Sequence, residues 1–321
     1  MNNLKKIGLT ALAGSLVATS VAYAGALEAT GSAEMKMTNN SQSAAGKTIG
    51  MGNSIYFKGS GETDSGLNVA LSFELDQGAS DGAAGVYDNH SVSVGNDSLG
   101  TLTVHGHGGS NSAAALDTTA AGDLWDSTLG INTTAAFSTR NAPLASASGD
   151  NLVVYSLPSM IDGLSVGVST QLTTAGGDAS TAYGLTYAGI DGLSLSFGQG
   201  NTNGTAAVSG DQTIMKVSYA YGPITASASN NVMDHTTNTN DQEVTSYGLS
   251  YTVSDAISLS YGEETIDRAL KVKDIDVKGY TASYTTGGMT VSLKQVSADH
   301  TDHTTVTSNN EMWKLGLSLA F

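Results

Sequence analysis

The sequence predicts an all-β chain, a sixteen-stranded antiparallel barrel that spans a membrane and folds a long third loop into its lumen. Three observations carry this. Trp313, Leu315, Leu317, Leu319 and Phe321 alternate with Lys314, Gly316, Ser318 and Ala320, so one face of the last strand is apolar and the other polar or small. The same alternation recurs along the chain, in segments joined by connections that are short and long by turns. The average hydropathy is near neutral, yet no stretch after the amino terminus could form a membrane helix. A barrel gives that balance, because lipid-facing and lumen-facing residues cancel in any window.

The amino terminus sets the compartment. Lys5 and Lys6 precede an apolar run from Ile7 to Val21, which ends in Ala22-Tyr23-Ala24. This predicts a signal peptide over residues 1–24, cleaved after Ala24, with 25–321 as the barrel domain. The run is shorter than the roughly 20 residues a spanning helix needs. An exported chain without cysteine must draw its stability from elsewhere than disulfides. Cleavage leaves 11 basic against 29 acidic residues, a net charge of −18. That charge argues against nucleic acid or anionic lipid as a partner.

The strands are expected near 26–38, 51–60, 66–77, 87–95, 100–106, 150–158, 163–172, 181–189, 192–200, 212–221, 223–232, 243–253, 256–264, 275–285, 288–297 and 311–321. Leu67-Val69-Leu71-Phe73-Leu75 and Tyr247-Leu249-Tyr251-Val253 are the clearest apolar faces. Short connections such as Gly189-Ile190-Asp191-Gly192 and Gly222-Pro223 hold the Gly, Pro and Asp that tight hairpins need. The long ones are rich in Asn, Asp, Ser and Thr. An even strand count places both termini at one end. In hydrocarbon an open sheet edge has no water to satisfy it, so the sheet must close. Sixteen strands enclose an aqueous channel rather than a packed core.

Residues 107–149 break the pattern, with Asp117, Asp123, Trp125, Asp126 and a short helical candidate at Ala113–Leu116. A loop of this length without strands usually has a job. In a wide barrel its expected place is the lumen.

The ending on Phe321 resembles the terminal strand of bacterial outer-membrane barrels, which the insertion machinery reads, so Phe321, Leu319 and Trp313 are candidates for the assembly signal. Gly61-Glu62-Thr63-Asp64-Ser65-Gly66-Leu67-Asn68-Val69-Ala70-Leu71-Ser72-Phe73 resembles the turn between the second and third strands of the Gram-negative general diffusion porins, especially their alphaproteobacterial branch. Ser98-Leu99-Gly100-Thr101-Leu102-Thr103-Val104 resembles the hairpin before their third loop. The likeness covers the whole chain. It implies a homotrimer in the Gram-negative outer membrane, in contact with lipopolysaccharide. It also implies passive diffusion of small hydrophilic solutes past a constriction made by loop three. The Pro-Glu-Phe-Gly-Gly segment of the enteric third loop is missing, and arginine is scarce.

Strand parity selects the wall of that pore. Ile55 and Phe57 face lipid, which turns Lys58 inward; the same reasoning turns Lys36, Glu74, Lys216, Lys294 and Lys314 inward. A lysine at mid-membrane on the lipid face would cost about 2–4 kcal/mol. Asp117, Asp123 and Asp126 are the acidic candidates for the constriction, and acids facing lysines would set a transverse field. His105 and His107 share a parity that points them inward. His300 and His303, with Asp299 and Asp302, are loop residues with a weak claim to a divalent cation. No cofactor is expected beyond that.

Tyr183, Tyr187, Tyr219, Tyr221, Tyr247, Tyr251, Tyr280 and Tyr284 fall on the apolar parity near strand ends, where amphipathic rings form interfacial girdles. No motif marks a catalytic triad or a repeat-built calcium site. The expected function is an outer-membrane channel for small hydrophilic solutes and ions, with a weak cation preference. The alternatives are a substrate-specific channel of the same fold and a non-conducting adhesive barrel.

Overall fold

In the computed structural model the described residues are 27–41, 47–76, 87–124, 150–172, 179–202, 209–236, 241–301, 303 and 309–321. They form sixteen strands: β1 (Leu27–Asn40), β2 (Lys47–Glu62), β3 (Asn68–Asp76), β4 (Tyr87–Asn96), β5 (Gly100–His107), β6 (Leu152–Ser156), β7 (Leu164–Gln171), β8 (Ser180–Ile190), β9 (Leu193–Thr202), β10 (Gly210–Tyr221), β11 (Ile224–His235), β12 (Gln242–Ser254), β13 (Ile257–Arg268), β14 (Ile275–Thr286), β15 (Met289–Asp299) and β16 (Asn310–Ala320). Each pairs antiparallel with its neighbours in sequence, and β1 pairs with β16, so the sheet has no edge. The signal-peptide segment lies outside the described residues.

The expected order of strands is the observed one; the differences are in length. β2 begins at Lys47, four residues early, and β6 shrinks to five residues, Leu152–Ser156. A single polar residue can be extended or looped with equal ease, so polarity alone cannot place such ends. Closure is made by Ser32↔Ala320 through Asn40↔Met312. Phe321 lies one residue past β16 yet continues the ladder: Gly31 N–H donates to Phe321 O at 2.7 Å and Phe321 N–H donates to Gly31 O at 3.0 Å.

Seven connections, all at the end that carries both termini, are short. Thr63 organises one of them: its Oγ1 accepts from Leu67 N–H at 3.0 Å while Thr63 N–H donates to Leu67 O at 2.8 Å. Asn96 shapes the next, accepting from Ser98 and Leu99 N–H at 3.1 and 2.8 Å. At Gly192 the backbone adopts φ 74°, and an added Cβ would stand 2.3 Å from Ala220 O, so only glycine fits.

The outer face carries the exposed apolar side chains, among them Met35, Leu71, Leu249, Leu293 and seven of the eight tyrosines predicted to lie on it; Tyr187 is half-buried. Phe57 and Phe73 stack there, on adjacent strands, with ring centroids 5.0 Å apart. What is buried faces inward. Leu124, Val244, Ile266, Ile275, Val277, Val296, Ala298 and Met312 form one apolar cluster inside the bore, and Ala113, Ala182 and Ile214 a second. Both contain a residue of the segment after β5.

Candidate functional site: the inner wall and the loop laid against it

The segment after β5 is described as far as Leu124. Asn111 starts a helical turn: the Asn111 side chain accepts from Ala113 and Ala114 N–H at 3.0 and 2.7 Å, and a 3₁₀ turn follows over Ala114–Leu116. Beyond it the chain crosses the inner wall, tied to one strand after another. Ser112 N–H donates to Ser169 Oγ on β7 at 2.9 Å. Lys216 Nζ on β10 donates to Thr118 O at 2.8 Å, and Asn231 on β11 donates to Asp117 O at 2.8 Å. Ala120 N–H reaches Ser229 Oγ on β11, and Ala121 N–H reaches Ser246 Oγ on β12, each at 2.8 Å. Thr119 Oγ1 donates to the fully buried Glu264 of β13. Half of these wall groups are serine hydroxyls, placed where the loop's backbone needs a partner.

The loop acids take separate positions. Asp117 closes the 3₁₀ turn, half-buried beside Asp123; burial, then the neighbouring Asp123 charge, pushes its carboxyl up to about 7 against the pull of Lys216. Asp123 is bound into the loop itself: its carboxylate accepts from Thr119 N–H at 2.9 Å, and its own N–H donates to Thr119 Oγ1 at 2.8 Å, with φ at 52°. Asp126 lies outside the described residues.

Each wall residue selected by parity lies on the inner face. Lys36 (β1), Lys58 (β2), Lys294 (β15) and Lys314 (β16) stand on four consecutive strands of the closed ring, opposite β7 to β10, where the loop first meets the wall. Lys216 belongs to the loop's own side and serves to hold it. Glu74 is 4% exposed, accepting from Asn89 at 2.6 Å, and so is set into the wall rather than presented to the stream. Glu34 escaped the sequence reading. It shares parity with Lys36, and its carboxylate lies 2.6 Å from Lys314 Nζ and 3.9 Å from Lys36 Nζ. The strand β16 that brings Lys314 to it is nearly 280 residues away in sequence, and only closure joins them. Glu28 stands directly across the ladder from Lys58.

The histidines divide. His105 follows the parity. A register shift at His90/Ser91 disturbs the alternation before His107, whose Nδ1 lies 2.5 Å from Asp150 and whose Nε2 lies 3.5 Å from Asp88. His303 is buried with Nδ1 2.7 Å from Lys273 O, and burial holds its ring below the usual imidazole range. Its suggested partner Asp302 lies outside the described residues. The acidic cluster that does form among the described residues is Glu74, Asp76 and Asp88.

A closed barrel of sixteen strands, apolar outside, hydroxyl-lined and charged within, and carrying a loop on its inner wall, defines a membrane-spanning channel protein. The chain belongs to the Gram-negative porin family, whose model matches residues 8–321. It is a multi-pass protein of the outer membrane. Among solved structures, OmpF of Salmonella typhi in complex with daunomycin is similar at TM-score 0.69 and 12% identity, over 93% of this chain and 98% of that one. A triple mutant of the Rhodopseudomonas blastica porin matches at 0.65 and 14%, over 92% and 100%. A loop-deletion mutant of OmpT from Vibrio cholerae matches at 0.65 and 15%, over 93% and 100%. Identities this low speak for the fold alone. No curated protein matches by sequence.

Proposed function

We propose that this porin is a general diffusion pore, in which small hydrophilic solutes pass a constriction between the loop at Ser112–Leu124 and the lysine-bearing wall of β15, β16, β1 and β2. The observation that carries this reading is the opposition of the two. The loop is tied to the inner face from β7 to β13, while Lys36, Lys58, Lys294 and Lys314 stand on β1, β2, β15 and β16, across the ring from β7 to β10. The acidic loop, with Asp117 on it, and those lysines on the other wall would set a transverse field, which orients dipolar solutes and disfavours apolar ones. Glu34 and Glu28 offset part of the positive wall, so with a chain this acidic the net preference is weakly for cations. The reading needs no cofactor. It takes the protein as a homotrimer, exported by cleavage after Ala24, inserted by machinery that reads Phe321, Leu319 and Trp313, and seated among lipopolysaccharide.

Single-channel recording in a planar bilayer under a salt gradient tests it. Ohmic openings in groups of three with a reversal potential of cation sign are expected. A folded, heat-modifiable barrel that does not conduct would overturn the reading in favour of a plugged or adhesive barrel.

A further inference from the structure

Six inward-facing glycines lie beneath the loop in two cross-strand rows. In the first, Gly167, Gly184 and Gly198 stand opposite one another on β7, β8 and β9; in the second, Gly248, Gly262 and Gly279 do so on β12, β13 and β14. Glycine in a strand interior weakens the sheet, and its usual justification is another backbone approaching closely. Here one does. A Cβ on Gly184 would lie 2.1 Å from Ser112 O, and one on Gly248 would lie 2.1 Å from Ala120 O. A Cβ on Gly262 would lie 2.5 Å from Ala121 Cβ, and one on Gly279 2.5 Å from Leu124 Cδ2. Gly198 and Gly167 meet Ala113 and Ser112 at 3.1 and 3.2 Å. Between the rows, the side chains of Lys216, Ser229 and Asn231 bridge to the loop. Gly52 on β2, away from the loop, has no atom within 4 Å of such a Cβ.

We propose that these two rows are a seat, and that Gly184 and Gly248 above all are positioning residues that fix how far the loop stands into the bore. The proposal rests on reading the loop as the constriction. Non-bonded atoms settle about 3.5 Å apart, so a methyl at Gly184 or Gly248 displaces the loop carbonyl by roughly 1.4 Å. The wall behind is a closed hydrogen-bonded sheet, and the displacement therefore runs toward the pore axis.

The test is single-channel conductance of the full-length protein taken from the outer membrane. Gly184→Ala and Gly248→Ala should each lower it, with a smaller cut-off for neutral polymers, while Gly52→Ala matches wild type. Wild-type conductance in all three would overturn the seat. So would a rise in the first two, because the loop would then have been released rather than moved inward. Should Gly184→Ala and Gly248→Ala fail to assemble, Gly279→Ala is read with and without Leu124→Ala, which removes the overlapping atoms. A loss in the single variant that the double variant restores supports the seat; no loss, or no restoration, overturns it. The constriction reading is tested apart from the seat. The chain has no cysteine, so Ala115→Cys on the exposed side of the loop accepts a bulky thiol label at one place. Label that leaves conductance unchanged refutes the constriction; label that blocks while the glycine variants conduct normally refutes the seat alone.

Discussion

Asp117 shows most directly what one residue's surroundings do. Its carboxyl has an ordinary value of 3.8 and is pushed up to about 7 by burial and by Asp123. The folded state therefore binds the proton more tightly than the unfolded one does. The resulting stabilisation of the docked loop is fully present below about pH 4 and is lost as pH rises through about 7. Charge runs the opposite way: the lumen gains one negative charge over the same window. Reversal potentials at pH 5.5 and pH 8.5 should show stronger cation preference at the higher pH, and Asp117→Asn should reduce the difference. Glu34 makes the complementary case. Partly exposed ion pairs such as Glu34–Lys314 add little stability, so Glu34→Gln should leave assembly intact. It should move the reversal potential toward anions, because it uncovers Lys314 and Lys36. Strand parity could turn Lys36 and Lys314 inward; it could not pair Lys314 with Glu34, because that pairing needs β1 and β16 to meet.

At the scale of the element, the alternation of each strand has an energetic consequence that differs between its faces. Leu249 and Ser250 are neighbours on β12, one outward between Tyr247 and Tyr251, the other inward. Leu249→Arg should destabilise the barrel by about 2 kcal/mol in lipid, whereas Ser250→Arg should cost much less and appear in the conductance instead. Denaturant unfolding from vesicles distinguishes them. The last strand adds a second consequence. Phe321 exchanges two backbone hydrogen bonds with Gly31, and a Cβ on Gly31 would stand 2.5 Å from its ring. Phe321→Ser keeps the hydrogen bonds and removes the ring, and it should sharply reduce the yield of heat-modifiable barrel in the membrane. Normal yield would refute the reading of Phe321 as an assembly signal. The glycine rows under the loop were open to discovery from sequence, since all six share the polar parity of their strands. Without the register between strands, however, nothing aligns Gly248 with Gly262 and Gly279, or places Ala120 and Leu124 over them.

The whole molecule depends on closure. An open sheet in hydrocarbon leaves an unsatisfied edge, and the ladder from Ser32↔Ala320 to Asn40↔Met312 removes it. The chain's large negative charge does not by itself set pore selectivity, because a channel responds to the charges that line it. In the proposed trimer the pores act in parallel, so conductance should close in three equal steps, and a single step would refute three-fold assembly. What the sequence determined alone was the strand order, the inward and outward faces, the short-turn end and the membrane it is built for. Those follow from local properties: a period of two, turn residues, and the sign of each side chain's transfer energy. Only the tertiary structure decided which inward residues meet across the bore. Glu34 with Lys314, Thr119 with Glu264 and Ser112 over Gly184 are separated by tens to hundreds of residues. They are joined by register, closure and the path of one loop, and none of these is a property of any local stretch of chain.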